Sequence, residues 1–419
     1  MCSQREKTLG ELIGPGTNRV QLHRETSTVA QIREGTLMFN PLADRRIYLD
    51  FNASTPIASE VAGAMRNVLA EPFGNPSSQH WAGEPAGHAV GTARSQVAAL
   101  LACKPNEIVF TSGGSESNNH ALKGVFFAKG KSKAHFITTQ VEHPAIINPC
   151  RFLERLGTTT TYLPVDGFGR VDPDDVRRAI TPQTILISVM HANNEVGTIQ
   201  PIPDIARIAH EHDILFHTDA AQSVGKIVTH VGELGVDLLS VAGHKLYGPK
   251  GIGAIFVRQH VRLEPLIHGA GHELGRRAGT ENILLDVGLG AACATAHSWL
   301  GMEFVRQLRD LFWNMLQETF GPRVALNGHP TERLPNTLNV SFIGRAGSEI
   351  LGRIENVAAS TGSACHSGSV ELSPVLKAMK IPPQIGMGAI RFSLGRMTTR
   401  EEIECTVALL TKAVSPSHG

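Results

Sequence analysis

The stretch "EIVFTSGGSESNN" (residues 107–119) changes character in its middle. It opens as a short β-branched, apolar run that reads as a strand. Ser112, Gly113, Gly114 and Ser115 follow, and then a segment that reads as a helix. A core strand has no need of such an ending. Four more β-rich runs share it. "HFITTQVEH" (135–143) delivers His143, and "ILISVMHANNE" (185–195) delivers Asn193 and Asn194. "ILFHTDAAQ" (214–222) delivers Asp219 and Gln222, and "LLSVAGHK" (238–245) delivers His244 and Lys245.

Helix-like segments separate these runs. "HAVGTARSQVAALLA" (88–102) has apolar residues three and four apart, while "PDDVRRAI" (173–180) and "PDIARIAHEH" (203–212) open on Pro-Asp start signals. Strands alternating with helices predict an α/β domain with a mainly parallel sheet. In open α/β sheets, ligands bind beyond the carboxyl ends of the strands. Five polar strand ends therefore imply one shared pocket. After about residue 284 the texture changes. A long helical stretch runs through "AACATAHSWLGMEFVRQLRDLFWNMLQETF" (291–320). "TLNVSF" and "AIRFSL" then read as strands and "REEIECTVALLTKAV" as a closing helix, which predicts a smaller α+β domain with a boundary near 300.

Bulk composition narrows the function. The 419 residues are 42% apolar, enough for a large core, and 39 Lys and Arg stand against 38 Asp and Glu. That balance argues against nucleic acid or an anionic membrane surface as partner. No run approaches the ~20 apolar residues of a membrane span. The start lacks the apolar region of a secretory signal. The six cysteines are scattered and form no C-x-x-C pair, as expected of free thiols in a reducing, cytoplasmic setting. Residues 1–46 mix both charge signs and read as a poorly ordered extension, with Met38 as an alternative start; organellar targeting by this extension stays open.

Each polar end suits one part of one ligand. A Gly-Gly-Ser turn opening a helix offers free N–H groups and a positive dipole end to a phosphate. A deprotonated pocket lysine forms a Schiff base with an aldehyde. A strand-end aspartate holds a pyridinium nitrogen protonated, and a histidine stacks on a ring and shuttles protons. Phosphate, aldehyde and pyridine nitrogen together describe pyridoxal 5′-phosphate. Singly, each residue has an ordinary reading as a cap, a turn or a solvated side chain; their convergence carries the argument. Cys365, in "STGSACHSGS" (360–369), reads from its surroundings alone as a buried thiol, half of a bridge, a metal ligand or a nucleophile on a mobile loop. Other motifs are weak. "GKS" (130–132) lacks the P-loop glycine in register, and "HEHD" (210–213) has no second ligand cluster. Cys103, Cys150, Cys293 and Cys405 read as buried thiols.

The ordered set "YLDFNASTP" (48–56), "GNPSS" (74–78), "TSGGSESNN" (111–119), "VEH" (141–143), "NNEVG" (193–197), "HTDAAQ" (217–222), "GHKLYGPKGIGA" (243–254), "RAGTEN" (277–282), "STGSACHSG" (360–368) and "RFSLGR" (391–396) resembles the NifS/IscS-like cysteine desulfurases. These are fold-type I pyridoxal-phosphate enzymes, and the likeness spans about residues 47–414. It implies a large cofactor-binding domain over 54–300, and a small domain made of 47–53 and 301–419 that carries the Cys365 loop. It further implies that Lys245 carries the cofactor, that Asp219 pairs with the ring nitrogen, and that Gln222 and Asn194 face the ring oxygen. Asn194 would also meet the substrate. His143 would stack on the ring. Gly114, Ser115 and His244 would hold the phosphate, with Thr280 reaching the phosphate of the other subunit of a homodimer. Arg396 would clamp the substrate carboxylate, and Cys365 would take sulfur from L-cysteine as a persulfide for an acceptor or scaffold protein, leaving L-alanine. Many relatives carry Ser or Thr where this chain has Ala242, so one phosphate hydrogen bond is either lost or replaced from elsewhere; the related selenocysteine lyases tolerate an apolar residue there, which slightly favours them. The rival readings are a selenocysteine lyase acting on L-selenocysteine, an aminotransferase or other β-lyase, and an inactive scaffold subunit that kept the fold.

Overall fold

The structure is a computed structural model that describes residues 46–130, 133–366 and 369–414; the side chains of residues 363–370 lie outside that description, as do the expectations made for the extension. All five runs with polar endings are strands of one seven-stranded sheet. Its order is Ile108–Thr111, Gly253–Val257, Leu238–Ala242, Leu215–Asp219, Thr184–Ser188, His135–Thr139, Thr159–Leu163. Only Gly253–Val257 runs against the other six.

A sheet covered on both faces needs strands that are apolar throughout. Every residue of Thr184–Ser188, Leu238–Ala242 and Gly253–Val257 is buried. Alternation then deals neighbours to opposite sides. Phe110, Ile137, Ile187, Phe216 and Leu239 enter one core, whereas Val109, Phe136, Leu186 and Leu238 enter the other. The helix Ile202–Glu211 shows how the first face is closed. Its Ile202, Ile205, Ala206, Ile208 and Ala209 are all buried, at the three-and-four spacing of one helical stripe.

A second, four-stranded antiparallel sheet follows, in the order Ser360–Thr361, Ala389–Ser393, Thr337–Phe342, Val324–Asn327. Its core includes Phe312, Leu316, Val340, Phe392, Ile403 and Leu410, and takes in Ile47 and Leu49 from the start of the described chain. The closing helix spans Arg400–Val414, as its pattern predicts.

Three features differ from the sequence reading. The helical stretch 291–320 is two helices, Ile283–His297 and Glu303–Phe320. Gly301 at φ +83° and Met302 at φ +42° break it, a backbone that no right-handed helix continues through. The strands Thr159–Leu163, Gly253–Val257 and Val324–Asn327 have no counterpart in that reading. The first is a half-exposed edge strand rich in Thr, and the second is hidden in a glycine-rich run. Third, the stretch around Cys365 is a hairpin: Ser363–His366 pairs with Ser369–Leu372, with Cys365 opposite Val370.

Gly253 shows how tightly the sheet meets the Ser112–Ser115 turn. A Cβ there would lie 2.4 Å from the Val241 carbonyl oxygen and 2.7 Å from the Gly113 Cα. Both obstacles are backbone and neither can rotate away. Gly253→Ala should cost about 1–3 kcal/mol, the usual scale of overpacking, and lower the melting temperature measured by circular dichroism. An unchanged melting temperature would contradict this packing.

Candidate active site

The six parallel strands all present their carboxyl ends at one edge, and a cavity of about 580 Å³ opens there. Gly114, Ser115, His143, Asn194, Asp219, Gln222, His244 and Lys245 all line it. Five separate strand ends thus meet in one place, because parallel pairing gives them a common direction.

Local structure aims each group. Gly114 begins the 16-residue helix Gly114–Lys129, whose first-turn N–H groups have no partner within the helix. Glu116 folds back so that its Oε2 accepts from the Ser112 N–H at 2.8 Å. Ala242 ends its strand against this turn: a Cβ on Gly114 would lie 3.2 Å from the Ala242 methyl. His143 caps the helix Pro144–Glu154, its Nδ1 accepting from the Ala145 N–H at 3.1 Å. That bond leaves Nε2 as the protonated nitrogen. Burial lowers the His143 pKa, and Lys245 adds to this while Asp219 opposes it. The Asp219 carboxylate accepts from Asn118 Nδ2 at 2.6 Å and from the Ala221 N–H at 2.9 Å. Both donors orient it at the mouth of its strand.

Lys245 stands on a short 3₁₀ turn, Gly243–Lys245. Its Nζ donates to the carbonyls of Asn52, at 2.5 Å, and Ala53, at 2.8 Å. Burial, and then the Arg391 guanidinium, pull its pKa from 10.5 down to about 8, against the opposing pull of Asp219 and Asp50. His244 is driven down to about 4, by burial first and then by Lys245 and Lys250. It stays neutral at neutral pH.

Two expected residues lie elsewhere. Arg396 is outside the cavity lining; its guanidinium stacks on Tyr247 at 4.3 Å and on Trp299 at 5.2 Å. Thr280 lines a neighbouring cleft of about 280 Å³ that shares Ser112 and Gly251 with the main cavity. Cys365 is placed by its backbone alone. The hairpin that carries it is pinned at its base, where the Ser373 N–H donates to the Gly362 carbonyl at 2.8 Å and Ser373 Oγ to Glu195 Oε2 at 2.6 Å.

The cavity also holds residues that the strand-end argument passed over. Arg391 projects from the second sheet into the lining, donating to Asp50 Oδ1 at 2.7 Å and to the Asn194 carbonyl at 3.0 Å. Asn52 and Asn118 line it as well. Behind His143, Glu142 is buried, and burial pushes its carboxyl up to about 8. Thr139 Oγ1 and the Met190 N–H both donate to Glu142 Oε1, at 2.8 and 2.9 Å, tying two strand ends together. Burial raises the thiols of Cys103, Cys150 and Cys293 to about 12, and that of Cys405 upward as well. No group of three or more metal-ligating side chains occurs among the described residues, nor does any helix long and apolar enough to cross a membrane.

The neutral amine is the nucleophile, so labelling of Lys245 by an amine-selective reagent should rise with pH through a midpoint near 8. Arg391→Met removes a cation that favours the neutral form and should move the midpoint upward. A midpoint near 10.5, or one that Arg391→Met leaves in place, would contradict this electrostatic account.

The family model of aminotransferase class V matches residues 47–405. A cysteine desulfurase IscS from Dictyoglomus turgidum is 49% identical over 374 residues, covering 88% of this chain and 95% of that protein. Among solved structures, a NifS-like protein aligns with a TM-score of 0.82 at 36% identity, over 88% of this chain and 98% of that one. A structure of SspA in complex with cysteine aligns at 0.75 and 41% identity, over 83% and 98%. With its motifs in order and its strand ends gathered at one edge, the chain belongs to the aminotransferase class-V family, among the NifS/IscS-like cysteine desulfurases.

Proposed function

We propose that this chain is a pyridoxal-phosphate-dependent cysteine desulfurase that converts L-cysteine to L-alanine and leaves the sulfur on Cys365 as a persulfide. One observation carries the reading: a helix N-terminal turn, an amide-held aspartate, a capping histidine and a lysine of lowered pKa line a single cavity of about 580 Å³. The residues present fit the cofactor. The N–H groups of Gly114 and Ser115, with His244, would take the phosphate. Asp219 would hold the proton of the ring nitrogen, Gln222 and Asn194 would face the ring oxygen, and Lys245 would be the covalent anchor. When bound, pyridoxal phosphate supplies an aldehyde that takes up the substrate amine and a ring that accepts the electrons left at Cα.

The chain's own groups do the rest. Lys245 Nζ, with its pKa near 8, is close to half neutral at mildly alkaline pH and serves as base at the substrate Cα. His143 Nε2 carries the proton on the cavity side of the ring. Arg391 lines the cavity, and its guanidinium has the fork geometry that a carboxylate accepts. We therefore assign the substrate carboxylate to Arg391 and a packing role to Arg396. The Cys365 thiolate attacks the substrate sulfur, the carbon–sulfur bond breaks, and a proton returns to the carbon side, so that cysteine and a thiol become alanine and a persulfide. A free thiol has a pKa of about 8.5, so forming the Cys365 thiolate at neutral pH calls for a neighbouring cation or N–H donor. Thr280, outside its own chain's main cavity, suits the cavity of a second copy, so the working unit is read as a homodimer. The persulfide then passes to a sulfur-acceptor or scaffold protein.

Cys365→Ala should keep the visible absorbance of the loaded protein and lose sulfur release from cysteine. Lys245→Ala should lose the absorbance. Full turnover in the first variant, or unaltered colour in the second, would overturn the assignments. Arg391→Lys should raise KM for cysteine at least about tenfold, the cost of ~1.4 kcal/mol of lost pairing, and more than Arg396→Lys does; the reverse order would return the clamp to Arg396. Comparing kcat/KM for L-cysteine and L-selenocysteine separates the desulfurase from a selenocysteine lyase. A dominant selenocysteine rate would transfer the reading to the lyase.

A further inference from the structure

Lys226 is only 4% exposed, and both of its hydrogen-bond partners are neutral amides. Its Nζ donates to Asn52 Oδ1 and to Gln222 Oε1, each at 3.0 Å. Nζ donates to both amide oxygens, and a flip of either amide would set its oxygen against a carbonyl oxygen, Gln222 against that of Asn52 and Asn52 against that of Asn194, so the oxygens face Lys226. Both amides lose their freedom to flip. Gln222 is left with Nε2 toward the cavity, where it donates to the Asn52 carbonyl at 3.0 Å. That carbonyl is the one that accepts from Lys245 Nζ. Asn52 is fixed in the same way: its Oδ1 accepts from Lys226 and from Asn336 Nδ2, and its Nδ2 donates to Thr337 Oγ1 and the Asn194 carbonyl.

A neutral amine has two N–H groups, and two acceptors are supplied. Burial without a counter-charge favours that form, and the neighbouring cations Lys245 and Arg391 push the same way. Lys226 lies behind the lining, not in it. Among the described residues its side-chain hydrogen bonds run to Gln222 and Asn52, both of which line the cavity.

We propose that Lys226 is a positioning residue that locks the Gln222 amide with its N–H₂ toward the cofactor's ring oxygen and locks Asn52 as the acceptor for Lys245. The assignment rests on the cofactor roles proposed above for Gln222 and Lys245. Lys226→Met removes both donors at nearly constant volume. The test is a pH titration of the visible absorbance of protein loaded with pyridoxal phosphate, together with cofactor affinity from fluorescence quenching. It compares wild type, Lys226→Met, Gln222→Ala and the double variant. Lys226→Met should shift the titration midpoint by at least about half a pH unit and weaken cofactor binding. In the Gln222→Ala background it should produce less than half of that shift, because coupled residues are not additive. Lys226→Gln, which restores a donor without charge, should lie between wild type and Lys226→Met, and it takes the place of Lys226→Met in the cycle if that variant does not fold. An unshifted midpoint, or an equal shift with and without Gln222, overturns the proposal. A wild-type protein that gains no colour with pyridoxal phosphate instead overturns the proposed function.

Discussion

The backbone carbonyl of Asn52 accepts from Lys245 Nζ, and the rest of the site is arranged around that residue. Asn52 is 1% exposed and every polar group it owns is used. Its N–H donates to Ser393 Oγ and its Nδ2 to Thr337 Oγ1, both on the second sheet. Its two oxygens accept from Lys245, Gln222, Lys226 and Asn336. One side chain therefore joins the loops beyond the parallel sheet to the antiparallel sheet that delivers Arg391. A buried polar network with every member satisfied specifies one geometry, and here that geometry faces the reactive amine.

Burial then sets the chemistry. Lys245, His143 and Lys226 all have their charged forms disfavoured by loss of water, and each sits near another cation. The cavity stays workable because Asp219 and Asp50 offset part of that repulsion. The outcome is a lysine that gives up its proton near pH 8 and a histidine whose free nitrogen is already committed as a helix cap. Both are properties of the folded chain: the lowered lysine pKa is what a proton-moving site at mildly alkaline pH requires, and the cap fixes the tautomer and orientation of the histidine ring.

The parallel sheet was legible because its strands are apolar runs that end abruptly in polar residues. A buried parallel strand can hardly look otherwise. The same logic found Asp219, His143, His244 and Lys245, each within a few residues of a strand's carboxyl end. It missed Arg391 and Asn52, since Arg391 lies within a buried strand of the second sheet and Asn52 lies beyond the first short strand; only the tertiary fold turns them toward the cavity. Asn118 was hidden by its place inside a helix, although helical spacing from Gly114 puts it one turn along the same face. The break at Gly301 was masked by strong helical patterning on both sides. Around Cys365 the small residues suggested a loop, yet the backbone closes into a hairpin whose base is fixed by Ser373 and Glu195.

The account's central claim is that sulfur leaves cysteine for Cys365. A single turnover of the loaded protein with one equivalent of L-cysteine, quenched and analysed by peptide mass spectrometry alongside alanine quantification, tests it most directly. The account predicts one added sulfur on the Cys365 peptide for each alanine formed, with Cys103, Cys150, Cys293 and Cys405 unmodified. Alanine formed without sulfur on Cys365, or with the sulfur on another cysteine, would contradict it.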